Sequence, residues 1–153
     1  FSFLVLGSGD KETENQLNHL KTYIKNYNCY IGYDEVLSHK IYASADFILM
    51  PSRVEPCGLN QLYALKYGTI PIVRSTGGLK DTVIDFEEKE GYGIRFENVD
   101  SLEMVTALQR AITLYKDGKK VNQLRKLMMG LDFSWNKSAQ EYDQLYNSLT
   151  KLT

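Results

Sequence analysis

DFILMPSRVEPCGLNQLYALKYGTIPIVR, residues 46–74, carries a complete structural unit in one run. Its opening segment, 46–51, is a short apolar run closed by Pro51, the pattern of a strand buried on both faces. Leu59, Leu62 and Leu65 then recur at period three, and Gly68 follows as a helix stop. Residues 69–74, TIPIVR, read as a second strand. A strand, a helix and a strand joined by short connections form the repeating unit of a parallel sheet.

The flanking sequence repeats that unit. FSFLVLG (1–7) is an apolar run ended by glycine, and Leu17, Leu20, Ile24 and Tyr27 predict a helix over roughly 11–27. CYIGY (29–33) reads as a strand, with Asp34 placed to cap a short helix bearing Leu37 and Ile41. Downstream, STGGLKDTVIDF (75–86) combines a glycine turn with a short helix, and GYGIRF (91–96) supplies a last strand. Asp100 and Glu103 have the spacing of a capping box ahead of a helix carrying Leu102, Val105, Leu108, Ile112 and Tyr115. Two more helices are expected, near 119–129 and over 137–152, the last repeating Ala139, Tyr142, Leu145, Leu149 and Leu152. The acidic run DFEEKE (85–90) is expected to form a solvated loop. The expected fold is therefore α/β, a Rossmann-like parallel sheet with helices on both faces, as a single domain over 1–153.

Composition narrows the partners. A formal charge of −1 over 153 residues gives no general electrostatic case for nucleic acid or an anionic membrane. Cys29 and Cys57 lie in different segments without a CxxC pair, which suits a reducing, cytoplasmic setting. No apolar run approaches the roughly 18 residues of a membrane span. The chain opens inside an apolar strand, as an excised portion of a longer protein would.

In open parallel sheets, ligands sit beyond the carboxyl ends of the strands. Four loops there carry unusual residues: 7–10 (GSGD), 32–35 (GYDE), 51–60 (PSRVEPCGLN) and 74–79 (RSTGGL). In the third, Pro56 fits a first helical turn, and the amides of Gly58, Leu59 and Asn60 should point out of the helix start, where an anion is favoured. Glu55 stands just before these donors and has two readings, a cap for the helix or an acceptor for sugar hydroxyls beside a phosphate. Gly77 and Gly78 either repeat the device or form a tight turn; GSGD suits a simple turn. Tyr33, at a strand end, either stacks on a flat ring or packs. His19 and His39 lack ligand-spaced partners, so no metal is expected. Cys57 has no histidine to activate it and is expected to be a small packed residue rather than a nucleophile. Ser52 and Ser75 lack a hydrolase elbow, and no P-loop is present.

From ADFILMPSRVEPCGLNQLYALKYGTIPIVRSTGGLKDTVIDF, with IGYDE before it and FSWNKSAQEYDQLY after it, the chain resembles bacterial glycogen synthases and plant starch synthases from about Gly7 onward. The resemblance implies the donor-binding half of a GT-B enzyme, with its first strand region missing. Such an enzyme transfers glucose from ADP-glucose, or UDP-glucose in some members, to the non-reducing end of an α-1,4-glucan. Configuration is retained, and neither metal nor cofactor is needed. It further implies that Glu55 lies at the donor glucose and reaction centre. Cys57, Gly58, Leu59, Asn60, Gly77 and Gly78 would meet donor sugar and phosphate, and Tyr33 would stack on adenine. Asn60 stands where many relatives have Thr. Tyr63 stands where other retaining transferases place a second Glu, which favours the glycogen and starch synthase branch. An Arg and a Lys that hold the phosphates, a catalytic-site His and much of the acceptor surface would lie in the missing N-terminal part, so this chain alone is expected to be inactive. Another retaining GT-B sugar transferase and a non-catalytic nucleotide-sugar-binding module are the alternatives.

Overall fold

A computed structural model describes residues 1–150, which divide into two compact units, 1–41 and 42 onward. In the first, β1 (Phe3–Gly7) and β2 (Tyr27–Ile31) pair in parallel, Phe3 opposite Tyr27 and Gly7 opposite Ile31. Between them runs α1 (Lys11–Leu20), capped by Asp10, whose carboxylate accepts from Thr13 N at 2.9 Å and Thr13 Oγ1 at 2.6 Å. The loop 7–10 thus turns the chain and starts a helix.

The expected helix over 11–27 is shorter, because Ile24 and Tyr27 continue the apolar spacing without continuing the backbone. Lys21, Thr22 and Tyr23 close tight turns onto Asn18, His19 and Leu20, the Thr22 hydroxyl adds a bond to His19 O at 2.8 Å, and Tyr27 opens β2. Asp34 caps α2 (Glu35–Ser44) as its position predicts, accepting from Leu37 N at 2.8 Å.

The second unit holds β3 (Phe47–Met50), β4 (Ile70–Arg74) and β5 (Ile94–Phe96), a parallel sheet in that order. Residues alternate across its faces as strand geometry requires. Ile70, Ile72, Ile94 and Phe96 join the larger core, covered by Leu65 of α3 (Asn60–Tyr67), Ala107, Ala111 and Leu114 of α5 (Ser101–Tyr115), and Val121, Leu124 and Met128 of α6 (Gly118–Gly130). Met50 and Val73 face the opposite way, onto Leu79 of α4 (Gly77–Thr82) and Val83. Each of the larger aliphatic and aromatic side chains removed from water contributes roughly 1.5–3 kcal/mol, so two apolar faces fix the register. The parallel α/β class follows the sequence; the five strands are hydrogen-bonded as two sheets, β1–β2 and β3–β4–β5.

Details of the helices differ from the spacing. The buried face of α3 is Gln61, Ala64 and Leu65, continuing to Gly68, whereas Leu59 is exposed: a strict period of three drifts off the face of a 3.6-residue helix. Asp100 caps α5 through Leu102 N at 3.2 Å, but Glu103 does not reach back to it; its carboxylate takes the N–H groups of Glu97 and Asn98, both at 2.9 Å. The helix α7 (Trp135–Thr150) buries no residue, and its expected continuation to Leu152 lies outside the described residues.

The acidic run 85–90 is only partly a solvated loop. Asp85 is buried and receives Arg110 through both terminal nitrogens, at 2.6 and 3.1 Å, together with Arg95 N at 2.8 Å. The Arg110 guanidinium also lies 5.1 Å from the centre of the Phe86 ring. Burial raises the Asp85 pKa, but the bonds from Arg110, Arg95 N and Glu87 N outweigh it and hold the carboxyl below its ordinary value.

Candidate functional site

The connection from β3 to α3, residues 51–59, is held by donors from outside it. Arg74, the last residue of β4, gives Nε to Ser52 O at 2.8 Å and Nη2 to Arg53 O at 2.6 Å, with Nη1 on Glu97 O at 3.2 Å. The Gly78 N–H bridges Glu55 O at 3.0 Å and Pro56 O at 3.2 Å. Gln61 Nε2 donates to Cys57 O at 3.1 Å and Gly58 O at 2.9 Å. Six carbonyls of one short loop are thereby committed to named donors, which fixes its path to within hydrogen-bond geometry.

Close backbone contact completes the clamp. A Cβ on Gly77 would overlap the carbonyl of Glu55, and one on Gly78 would overlap the carbonyl of Cys57. Gly58 sits at φ 72°, in the left-handed region. These are positions where only glycine lets the chain pass.

The start of α3 has no side-chain cap: its N-cap is Leu59, in a helical conformation and without a capping hydrogen bond. The first N–H groups of a helix have no acceptor within it and present a partial positive charge. Glu55 does not fill that role. Its Oε2 accepts instead from Ser52 Oγ at 3.1 Å, and the side chain is half-buried. Of its two sequence readings, the helix cap is therefore the one that the geometry excludes. A carboxylate and a set of open N–H donors share one loop, the combination that a phosphorylated sugar requires from a site: acceptors for hydroxyls, donors for phosphate.

The sequence-predicted residues are distributed as follows. Glu55, Cys57, Gly58, Leu59 and Asn60 are brought together with Gly77 and Gly78 in the second unit. Cys57 is exposed rather than packed, because its carbonyl, not its side chain, is what the surroundings hold. Gly77 faces solvent, while Gly78 is buried with its N–H engaged by the loop. Tyr33 belongs to the first unit, just after β2; the residue is 86% exposed and its hydroxyl donates to Glu35 Oε2 at 3.4 Å. Sequence reasoning missed Arg74, Gln61 and Thr82, and it weighed Ser52 only as a nucleophile. A glutamine spaced with Ala64, Leu65 and Gly68 on one helix face was the available signal for Gln61.

Comparison with known proteins places this loop in context. The chain belongs to the family of glycosyl transferases group 1, whose model matches residues 1–127. It is 52% identical over 147 residues to a glycogen synthase of Flavobacterium johnsoniae, covering 95% of this chain and 31% of that protein. Among solved structures it is similar to the catalytic domain of starch synthase IV from Arabidopsis thaliana bound to ADP and acarbose, with a TM-score of 0.85, 39% identity, and coverage of 96% of this chain and 32% of the other. A sucrose-phosphate synthase from Thermosynechococcus elongatus matches at a TM-score of 0.67 and 25% identity, over 98% of this chain and 39% of its own. The chain thus spans about a third of the length of the glycogen synthase it matches. The expected α/β class and the GT-B likeness both stand on these structures. No helix among the described residues is long and apolar enough to cross a membrane.

Proposed function

We propose that the protein containing this chain is a glycogen or starch synthase that transfers glucose from ADP-glucose to the non-reducing end of an α-1,4-glucan, with retention. The observation that carries this is the β3–α3 loop, where the Glu55 carboxylate and the uncapped start of α3 occur together. In the transfer, the bond from the anomeric carbon to the phosphate oxygen breaks, a glucan hydroxyl oxygen bonds to that carbon, and the hydroxyl proton is lost. Negative charge grows on the departing diphosphate. The N–H groups of Gly58, Leu59 and Asn60 oppose that charge in a fixed geometry, which is worth more in the transition state than in the ground state. Glu55 accepts hydroxyls of the donor glucose and faces the developing positive charge of the sugar ring. Gly77 lines the same site, and Gly78 and Cys57 shape it; the ADP named with the starch synthase supports an adenine nucleotide over a uridine one. The rest of the protein supplies an N-terminal domain, which with this chain holds the glucan. Two free cysteines, one of them exposed, suit a cytoplasmic setting.

The test is glucosyl transfer to glycogen by the full-length protein, with ADP-glucose and UDP-glucose compared. Glu55→Gln keeps the shape and removes the charge, and is expected to lower kcat by about 10²–10³-fold, the scale for losing one electrostatic group at a reacting centre. Near-native turnover by Glu55→Gln would overturn the role of Glu55, and no transfer from either donor by the native protein would overturn the proposal.

A further inference from the structure

Gln61 is fully buried, an unusual place for a primary amide in a helix whose other buried side chains are apolar. Its Nε2 lies within 2.9–3.1 Å of three oxygens: Cys57 O, Gly58 O and Thr82 Oγ1. The Thr82 hydroxyl in turn donates to Gly78 O, and the Gly78 N–H returns to Glu55 O and Pro56 O. The bonds close a circuit through loop 55–58, α3, the last residue of α4 and its second residue. Two of the oxygens facing Gln61 are carbonyls, which accept and cannot donate, so only the NH2 end of the amide fits there. The other end, Oε1, is buried without a partner. A buried acceptor left unsatisfied is costly, and an apolar side chain of similar volume would avoid that cost. Packing alone therefore does not account for a glutamine at this position; the two carbonyls it gathers do.

We propose that Gln61 is a positioning residue for the nucleotide-sugar donor: by drawing the carbonyls of Cys57 and Gly58 inward, with Thr82 as its second anchor, it sets the direction in which the N–H groups of Gly58, Leu59 and Asn60 emerge. This rests on the transferase reading above. Gln61 touches neither donor nor acceptor; it acts through the loop, and displacements on the order of 1 Å at such a site can cost about 100-fold.

The test uses the full-length protein, ADP-glucose and glycogen. Gln61→Met keeps volume and removes the donor; Thr82→Val removes the second anchor, and Thr82→Ser restores the hydroxyl. The expected result is a rise of about 10-fold or more in the KM for ADP-glucose in Gln61→Met and Thr82→Val, with the KM for glycogen within twofold of native and Thr82→Ser close to native. Donor KM within twofold of native in Gln61→Met and Thr82→Val would overturn the inference, as would parallel rises in donor and acceptor KM. If Gln61→Met does not fold, the Thr82→Val and Thr82→Ser pair decides alone by the same criteria. The native protein separates the two levels. No glucosyl transfer by it from ADP-glucose or UDP-glucose removes the transferase reading itself, whereas transfer by the native protein beside native-like Gln61 and Thr82 variants removes only the positioning role.

Discussion

A methyl group on Gly78 would occupy the space of the Cys57 carbonyl oxygen, and the Gly78 N–H is bound to the same loop. Neither partner is the far end of a flexible side chain, so backbone has to move. Gly78→Ala is expected to push loop 55–58 away from α4 and lower glucosyl transfer by about 100-fold, the scale for a displacement on the order of 1 Å at a reacting centre. Kinetics with ADP-glucose on the full-length variant checks this; transfer within threefold of native would show that the loop tolerates the shift. At this scale the sequence disclosed the residues that punctuate the chain. Pro56, Gly58 and the glycine pair are local signals, and Glu55 stands out beside them. Arg74 stayed hidden because its partners Ser52 and Arg53 are remote, and the spacing that marks Gln61 as buried does not disclose its distant anchor, Thr82. No spacing rule links positions about twenty residues apart.

Between elements, a charged contact in the second unit ties the segment after α4 to α5. Asp85 accepts both terminal nitrogens of Arg110 and the Arg95 N–H, and its carboxyl is held below its ordinary value despite burial. The folded pKa is depressed, so this stabilisation is complete above the unfolded value of about 3.9. It is lost as pH falls through the lower folded value. Acid unfolding of the native protein should therefore steepen below about pH 4. Asp85→Ala should cost about 3 kcal/mol at neutral pH, the lower end for removing one partner of a buried pair, because Arg110 keeps Glu87 as a second partner. Urea unfolding at pH 7 and pH 3 measures both effects, and the gap between native and variant should shrink at pH 3. An unchanged gap would mean that Asp85 contributes by shape rather than charge. The same contact explains why a run of acidic residues looked like a solvated loop: the other five residues of the run gave no hint that Arg110, on α5, lies opposite the first. Helix ends were legible where a single side chain made them, as with Asp34 and Asp100. They were not where the backbone turned against a continuing apolar spacing, as after Leu20.

At the scale of the whole molecule, parallel pairing was legible because short apolar strands alternate with helices, while the grouping into β1–β2 and β3–β4–β5 was not, since strand order depends on contacts that no local pattern records. The charge balance of the site also belongs to this scale. The start of α3 offers the equivalent of roughly half a positive charge, whereas a departing diphosphate carries several negative ones. The chain spans about a third of the length of the glycogen synthase it matches, and the proposed function assigns further cationic partners of the diphosphate to the remainder. Donors of α3 alone leave most of the developing charge unopposed, a deficit of several kcal/mol in the transition state. The isolated 153-residue chain is accordingly expected to transfer no measurable glucose from ADP-glucose to glycogen, while the full-length protein does. Incorporation of labelled glucose into glycogen, run at equal molar concentrations with circular dichroism confirming that the isolated chain is folded, makes the comparison. Turnover by the folded fragment equal to that of the full-length protein would mean that the loop from Glu55 to Asn60 needs no cationic partner, and the electrostatic account of the site would fall with it.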